Sequence, residues 1–332
     1  MPMKKFVNAP ENLTVELLEG FALAFPGKIA LKGKTVVRAN PKSEDKVAIV
    51  TLGGAGHEPA LSGFVGNGML DASVVGDIFA APGAPAVVEA LQATKRDVGT
   101  LLVILNHAGD VMAGDMAFDM ATSQGVNVQK VLTHEDISAG NDAPMENRRG
   151  LVGCIPLYKV AGAAAEAGKS LDEVVAIAER FNENMRTLAV AVTPATHPAN
   201  AAVIGEIADD EMEIGMGQHG EGGGGVVKLA SADETAEIMV EKLLATMDVS
   251  AGDKLFVMIN GSGATTLMEQ YIVLRGVKKV LDAKGIEMAR SMAGEYLTVQ
   301  EMGGFQMCIA KVDDELIELL DAPCDTPSWT VR

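Results

Sequence analysis

Basic residues are scarce in this sequence. Its 332 residues include 27 lysines and arginines against 45 aspartates and glutamates, which gives a formal net charge of -18 at pH 7. Nucleic acids and anionic membrane surfaces would be repelled by this charge, so neither is expected as the main partner. Long apolar runs are missing too. None approaches the length of a membrane span, and the run near the N-terminus is too short for a signal peptide.

Aromatic residues and cysteines are few as well. Aromatics make up only 4% of the chain, and its apolar content comes mainly from Ala, Val, Leu, Ile and Met, a mixture that suits an α/β interior. The three cysteines, Cys154, Cys308 and Cys324, stand apart without a C-x-x-C pair. The sequence therefore predicts reduced thiols packed as small core residues and a cytoplasmic location.

Nucleotide-binding motifs are absent. The Gly-Lys-Ser at 168–170 looks like the end of a P-loop, but it follows a predicted helix, whereas a P-loop follows a strand. We interpret the segment 170–173, Ser-Leu-Asp-Glu, as a capping box that opens the next helix. The Gly-Ala-Gly at 54–56 lacks the third glycine of a dinucleotide fingerprint, because Pro59 stands there. The chain thus contains no recognisable ATP cradle.

The spacing of the histidines gives no metal site either. The five are His57, His107, His134, His197 and His219, and no two have the spacing of paired ligands. No metal is therefore predicted for this chain. A G-x-S-x-G nucleophile elbow is also missing, which argues against serine hydrolase chemistry.

Strand-like and helix-like segments alternate, which predicts an α/β fold with mixed or parallel sheets covered by helices. Strands are predicted at 47–52, 101–105, 126–132, 188–192, 255–259 and 305–312, and helices at 12–24, 157–167, 171–181 and near 266–274. The length exceeds what one core usually supports. We predict two α/β domains, 1–183 and 184–332, with the ligand site between them.

Glycine is dense around one histidine. In the segment 213–225, His219 has glycines on both sides, and four more follow within a few residues. Glycine loses the most conformational freedom on folding, so this density favours a ring that meets a ligand at close range over a packing histidine. A flexible surface loop with a solvated histidine is the alternative interpretation.

Two further loops combine glycine with an ionisable side chain. Gly53-Gly-Ala-Gly-His57-Glu-Pro59 follows one predicted strand, and Asn106-His-Ala-Gly-Asp110 follows another. In open α/β sheets ligands bind at the carboxyl ends of strands, so both loops are expected at one site. Asp110 could equally be the N-cap of the helix that follows it.

These motifs, taken in order, resemble those of the dihydroxyacetone-binding subunits of the dihydroxyacetone kinases. The resemblance extends over essentially the whole chain. Besides the loops of His57 and Asp110 it rests on the opening at Met3 and the segments 148–150, 211–221, 263–265, 302–305, 311–314 and 321–323.

The resemblance implies a specific chemistry. His219 would form a covalent hemiaminal with the carbonyl carbon of a short-chain ketose, Asp110 would act as the base on the hydroxyl to be phosphorylated, and His57 would hydrogen-bond the substrate. A hemiaminal selects a ketone over a polyol, since a polyol has no carbonyl to attack. The substrate-binding positions implied are Gly53, Gly54, Gly56, Ala81, Leu105 and Gly109.

The resemblance also implies the partners. A chain of this kind holds no cofactor of its own and receives phosphate from a separate kinase subunit that binds ADP or ATP with magnesium. The sequence leaves open whether that subunit uses ATP directly or is recharged by a phosphotransferase system. The resemblance further implies a homodimer.

Departures from the family bear on the substrate. Many members have Lys-Asn-Tyr-Thr-Gly-Asp where this chain has Leu105-Asn-His-Ala-Gly-Asp110, and a serine where Ala81 stands. Leu105 and Ala81 each remove a polar group where the family contacts substrate. The predicted ketose is therefore dihydroxyacetone or a relative such as erythrulose.

A ketose-sensing transcriptional coactivator is the alternative function. Retention of Asp110 favours the kinase subunit, because a sensor needs the covalent histidine but not the base.

Overall fold

Helices and strands alternate along the residues that the computed structural model describes, 4–140 and 142–332. The predicted family-like opening begins at Met3, outside these residues. The helices are α1 (Leu13–Ala24), α2 (Ala84–Ala93), α3 (Ala108–Ser123), α4 (Cys154–Glu166), α5 (Leu171–Glu183), α6 (Ala232–Leu244), α7 (Leu267–Ala283) and α8 (Asp314–Asp321). The strands are β1 (Ile29–Lys32), β2 (Thr35–Arg38), β3 (Ala48–Ala55), β4 (Ala72–Ile78), β5 (Thr100–Leu105), β6 (Val128–Thr133), β7 (Met185–Thr193), β8 (Ala195–Thr196), β9 (Val203–Ile204), β10 (Glu211–Ile214), β11 (Val226–Lys228), β12 (Lys254–Gly261), β13 (Glu287–Gly294), β14 (Gly303–Lys311), β15 (Cys324–Asp325) and β16 (Thr330–Val331).

The first half of the chain builds a six-stranded mixed sheet in the order β1-β2-β4-β3-β5-β6. Strands β4, β3, β5 and β6 run parallel, while β1 and β2 add an antiparallel edge. The continuous apolar runs that predicted β3 and β5 are explained by burial on both faces. The loops after the parallel strands therefore emerge at a single edge of the sheet.

The second half builds another six-stranded sheet, ordered β11-β10-β7-β14-β12-β13. Its pairings are antiparallel except for β12 with β13. The predicted α/β class with mixed sheets and covering helices is thus confirmed. None of the described helices combines the length and apolar character needed to cross a membrane.

Helix α4 lies at the centre of the packing. All its residues from Cys154 to Ala165 are buried, as expected for a helix that is apolar all round. A Cβ on Gly162 would come within 2.5 Å of the Gly68 carbonyl oxygen, so glycine allows this helix to approach the neighbouring backbone closely. The core cluster around α4 includes residues of both sheets. The boundary near residue 183 stays a prediction.

Two local predictions are settled by helix ends. Helix α5 begins with a complete capping box between Ser170 and Glu173, which confirms that the Gly-Lys-Ser segment is a helix start. The N-cap of α3 is His107, and Asp110 lies inside its first turn. The interpretation of Asp110 as an N-cap is therefore wrong. The cysteines are free and buried, as predicted.

Candidate active site

Loops from both sheets meet at one small pocket with an empty volume of about 400 Å³. His57 follows β3, the segment of His107 and Asp110 follows β5, and Phe79 follows β4. Because these strands are parallel neighbours, their carboxyl ends deliver the three loops to the same edge. His219 reaches the pocket from the loop after β10 in the second sheet.

Most of the predicted site residues line this pocket. They are His57, Asp110, His219, Gly53, Gly54, Ala81 and Leu105. Gly56 and Gly109 do not line it. A Cβ on Gly56 would press against the Phe79 ring, and one on Gly109 would contact Ala81, so both glycines lie behind the pocket wall.

His219 occupies the centre of an aromatic cluster. Its ring centroid lies 5.3 Å from those of His57 and His107 and 5.6 Å from that of Phe79. Phe79 also lies 4.8 Å from His57, so this phenyl ring packs against both imidazoles. His57 is buried, whereas His219 stands at the mouth with 32% of its side chain exposed.

Each of the three imidazoles is held through one ring nitrogen. His57 Nδ1 lies 2.8 Å from the Thr298 carbonyl oxygen, and His107 Nε2 lies 2.8 Å from that of Gly150. His219 Nδ1 lies 3.1 Å from a carboxylate oxygen of Glu221. These oxygens accept hydrogen bonds, so we assign the proton to the bonded nitrogen in each ring. The other nitrogen then carries the lone pair.

Burial keeps two of these imidazoles neutral. It lowers the pKa of His57 to about 3, and the charge of His219 acts in the same direction. Burial, again with His219, also lowers the pKa of His107. Neutral imidazoles accept hydrogen bonds from substrate hydroxyls and do not repel one another.

Asp110 is the carboxylate of the pocket. Its residue is only half-buried, but its Oδ1 atom is fully buried and has no hydrogen-bond partner among the described residues. Burial raises its pKa to about 7, although the charge of His219 opposes the rise. A carboxyl with a strongly raised pKa in a cleft marks a functional site, because it can take up a proton near neutral pH.

Glu221 fixes the imidazole of His219. It accepts the His219 backbone N–H at 2.9 Å as well as contacting the ring. Burial alone would raise the pKa of this carboxyl, but the hydrogen bonds from His219 outweigh it and leave the pKa well below its usual range. A Cβ on Gly217 would lie 2.0 Å from the Glu221 carboxylate and 2.3 Å from an Arg149 guanidinium nitrogen, so a larger residue there would displace these side chains.

Three residues of the site were not predicted as such: Phe79, His107 and Glu221. His107 stood in the predicted Asp110 loop, and its position directly after a buried strand was the available signal. Phe79 adopts a left-handed backbone with φ of 55°, unusual for a bulky side chain. That conformation has no signature in the sequence.

A larger cavity, with an empty volume of about 1240 Å³, lies beyond Gly53 and Gly54 and is lined largely by apolar residues of α1 and the segment 58–63. None of His57, Asp110 and His219 lines it. Size alone therefore does not identify the reactive pocket, which is defined by its converging ionisable groups.

The chain is similar in sequence and in fold to known proteins. A family model described as the Dak1 domain matches residues 19–328. The chain is 36% identical over 329 residues to the PTS-dependent dihydroxyacetone kinase 1, dihydroxyacetone-binding subunit DhaK, of Listeria innocua, covering 98% of this chain and 100% of that protein. The solved structure of the co-activator Dha-DhaQ of the dihydroxyacetone kinase operon matches with a TM-score of 0.90 at 30% identity, covering 95% of this chain and 98% of that one. The native dihydroxyacetone kinase of C. freundii matches with a TM-score of 0.90 at 31% identity, covering 99% of this chain and 60% of that one.

Proposed function

Because the chain belongs to the Dak1 domain family, we propose that it is the ketose-binding subunit of a dihydroxyacetone-kinase-like phosphotransferase. In this role His219 captures a short-chain ketose, Asp110 takes the proton of the hydroxyl to be phosphorylated, and His57 hydrogen-bonds the substrate. The observation that carries the proposal is the convergence of these three side chains in one pocket.

The capture step uses the lone pair of His219 Nε2. This nitrogen attacks the carbonyl carbon, the C=O π bond breaks, and the oxygen takes a proton to become a hydroxyl. Glu221, 3.1 Å from Nδ1, relays the Nδ1 proton to solvent, and solvent supplies the proton that the oxygen takes, so the imidazole and the carboxylate both return to their original charge. The product is a hemiaminal in which one N–H has been exchanged for one O–H.

The transfer step uses Asp110. With a pKa of about 7, its carboxylate is a stronger base than an ordinary aspartate and is still substantially ionised at neutral pH. It accepts the hydroxyl proton as the substrate oxygen attacks the phosphoryl group. His57 and His107 are neutral and offer their free nitrogens to the remaining hydroxyls.

The proposed substrate is dihydroxyacetone or a related ketose such as erythrulose. Leu105 and Ala81 make this wall apolar where many family members place lysine and serine. The reaction type rests on His219 and Asp110, which are retained. The identity of the ketose depends on the wall residues Leu105 and Ala81, which differ from those that the family resemblance implies.

The phosphoryl donor is a separate nucleotide-binding kinase subunit that carries ADP or ATP with magnesium. The chain's only P-loop-like segment is a helix cap at Ser170, which supports this assignment.

We place the protein in the cytoplasm, in keeping with its free, buried cysteines. We also infer a homodimer, since Val192, Leu229 and Ile272 are exposed around one apolar groove that a second copy would cover.

A ketose-sensing coactivator is the second candidate, supported by the close structural match to the co-activator Dha-DhaQ. Asp110 separates the two functions. A sensor needs capture by His219 but has no use for a base whose pKa lies near 7.

The test is a panel of C3 to C5 ketoses offered to the purified chain, with adducts detected by intact-protein mass spectrometry under gentle conditions. We expect an adduct with at least one ketose and its loss in His219→Ala. Retention of the ketose by His219→Ala at wild-type strength would contradict the assignment. Capture without phosphorylation in the presence of a competent donor subunit would favour the coactivator.

A further inference from the structure

We propose that His107, His219 and Glu221 form a site for a divalent transition-metal ion, such as Zn²⁺, at the mouth of the pocket. We also propose that this ion and the ketose compete for His219, a competition that rests on the proposed function. No pair of these residues has a ligand spacing recognisable in the sequence. The fold brings His107 from the first sheet to His219 and Glu221 from the second.

The geometry of the cluster is close to that of a bound metal. One ligand atom from each of the three side chains lies within 4.8 Å of the others. Tetrahedral zinc with Zn–N bonds of about 2.0–2.1 Å holds its ligand atoms about 3.4 Å apart. His219 Nδ1 and a Glu221 carboxylate oxygen are 3.1 Å apart, so this pair already lies near the separation of two zinc ligands.

His107 and Glu221 already have the form that a metal requires, and His219 acquires it when its ring proton moves from Nδ1 to Nε2. Metal ions bind neutral imidazole and ionised carboxylate. His107 donates its Nε2 proton to the Gly150 carbonyl, an arrangement typical of metal-ligating histidines, and this leaves Nδ1 with the lone pair. Imidazole and carboxylate together suit zinc and its neighbours better than magnesium or calcium.

Arg149 is the cation that faces this cluster. One of its guanidinium nitrogens lies 3.8 Å from Oε2 of Glu221, whereas the His219 ring contacts Oε1. The charge of Arg149 is largely offset by Asp136, which is 2.7 Å away. A metal ion would replace the His219 ring proton on Oε1, and the repulsion from Arg149 is partly neutralised.

The metal blocks ketose capture whichever nitrogen of His219 it takes. Bound to Nε2, it occupies the attacking lone pair directly. Bound to Nδ1, it replaces the proton shared with Glu221, and the neutral ring then carries its proton on Nε2. In either case His219 has no free lone pair for the carbonyl carbon, so metal and ketose exclude each other.

His107 supplies the third ligand that turns the hydrogen-bonded pair of His219 and Glu221 into a metal site. The contact between His219 and Glu221 alone holds the imidazole in place for its chemistry. The third ligand, His107, comes from the loop after β5 in the first sheet. A neutral tyrosine is a weak zinc ligand, so His107→Tyr removes one ligand while keeping a ring in the same place.

The test is calorimetry of the full chain with ZnCl₂, together with the visible absorption of bound Co²⁺. We expect one equivalent of zinc with micromolar or tighter affinity and the d–d bands of tetrahedral cobalt. His107→Tyr should weaken zinc binding by roughly tenfold or more. The matched control is His197→Tyr, which changes a histidine that also packs on Phe79 but lies outside the cluster, and it should bind zinc normally. The site would be refuted by absence of zinc binding in the wild type, or by unchanged affinity in His107→Tyr.

Competition is measured by titrating zinc into protein saturated with a captured ketose. We expect the apparent zinc affinity to fall in proportion to occupancy, and zinc to reduce the adduct seen by mass spectrometry. Equal zinc affinity with and without ketose adduct would disprove the competition. If no ketose is captured at all, the proposed function and the competition fail together, while zinc binding that depends on His107 would still establish the site.

Discussion

Asp110 shows how a single residue can be unfavourable for folding and useful for chemistry. Its Oδ1 atom is buried without a hydrogen-bond partner among the described residues, and burial raises its pKa to about 7. A structural aspartate would normally have its oxygens paired, because an unsatisfied buried acceptor destabilises the fold. The arrangement makes sense if the missing partner is a substrate hydroxyl.

Asp110→Asn keeps the size of the side chain but removes its basicity. We expect phosphoryl transfer to fall by roughly two to four orders of magnitude, the usual contribution of general-base catalysis, while ketose capture persists. Steady-state kinetics with the donor subunit measures the first effect and intact-protein mass spectrometry the second. Full transfer activity in the variant would place the base elsewhere.

The same substitution should change how stability depends on pH. In the unfolded chain Asp110 ionises near its ordinary pKa of 3.8, but in the folded protein only near 7. Between these values the folded state holds the additional proton, so the free energy of unfolding falls as pH rises, and the penalty is complete above about pH 7.

We therefore expect Asp110→Asn to be more stable than the wild type at pH 8, by roughly 1–4 kcal/mol, with the difference shrinking toward pH 4. Urea unfolding at both pH values measures it. Asp119→Asn, an exposed change on the same helix, is the matched control and should show little difference. A stability gain in Asp110→Asn that is equal at both pH values would show that ionisation is not its cause.

At the scale of elements, the sequence predicts strands best where burial is greatest. The continuous apolar runs of β3 and β5 predict these strands from the sequence alone. The helical spacing of apolar residues in α5, together with its capping box, predicts that helix in the same way. Strands β1 and β2 are only four residues long, and β4 contains a glycine and an aspartate, so their local signals are weak. Their pairing is decided by the sheet, not by their own sequences.

The site likewise contains residues whose positions the sequence predicts and residues whose positions it does not. His57 and Asp110 follow strongly predicted strands, so the edge where they meet can be inferred from the sequence. Phe79 follows the unpredicted β4, and its ring position depends on a left-handed backbone. His107 and His219 follow strands of different sheets and are far apart in the sequence. No local sequence pattern predicts that their rings come into contact.

Helix α3 carries three exposed methionines that have no role in the proposed reaction. Met112, Met116 and Met120 recur every four residues, so they share one face, and the first two are 69% and 54% exposed. The helix begins beside the pocket at His107. Exposed methionines adapt to a partner's surface, so we expect this face to contact the donor subunit.

Met112→Glu combined with Met116→Glu should weaken transfer from the donor subunit by roughly 5- to 30-fold, as loss of one or two interface anchors would. Ketose capture should be unaffected, because neither residue lines the pocket. Leu23→Glu on α1, another exposed apolar position, is the control and should leave transfer unchanged. Wild-type transfer by the double variant would move the docking surface to another face.

At the scale of the whole molecule, charge and function are linked. A net charge of -18 keeps this chain from attracting a free triphosphate, which is itself strongly negative. The reactive pocket offers two imidazoles, a third at its mouth and one carboxylate, and none of the residues that line it is a lysine or arginine. We therefore expect the nucleotide to be presented, already bound to its magnesium, by the proposed donor subunit.

The isolated chain should consequently neither bind ATP·Mg measurably nor phosphorylate a ketose, and turnover should appear only when a nucleotide-bearing subunit is added. Calorimetry with ATP·Mg at micromolar protein is the decisive measurement, repeated on the protein with a captured ketose in case substrate completes a nucleotide site. Because zinc at His107 and His219 is expected to block capture, both titrations are run with a zinc-selective chelator that leaves magnesium on the nucleotide. Micromolar binding of ATP·Mg, or ketose phosphate formed by this chain alone, would overturn the assignment of the phosphoryl donor to a second subunit.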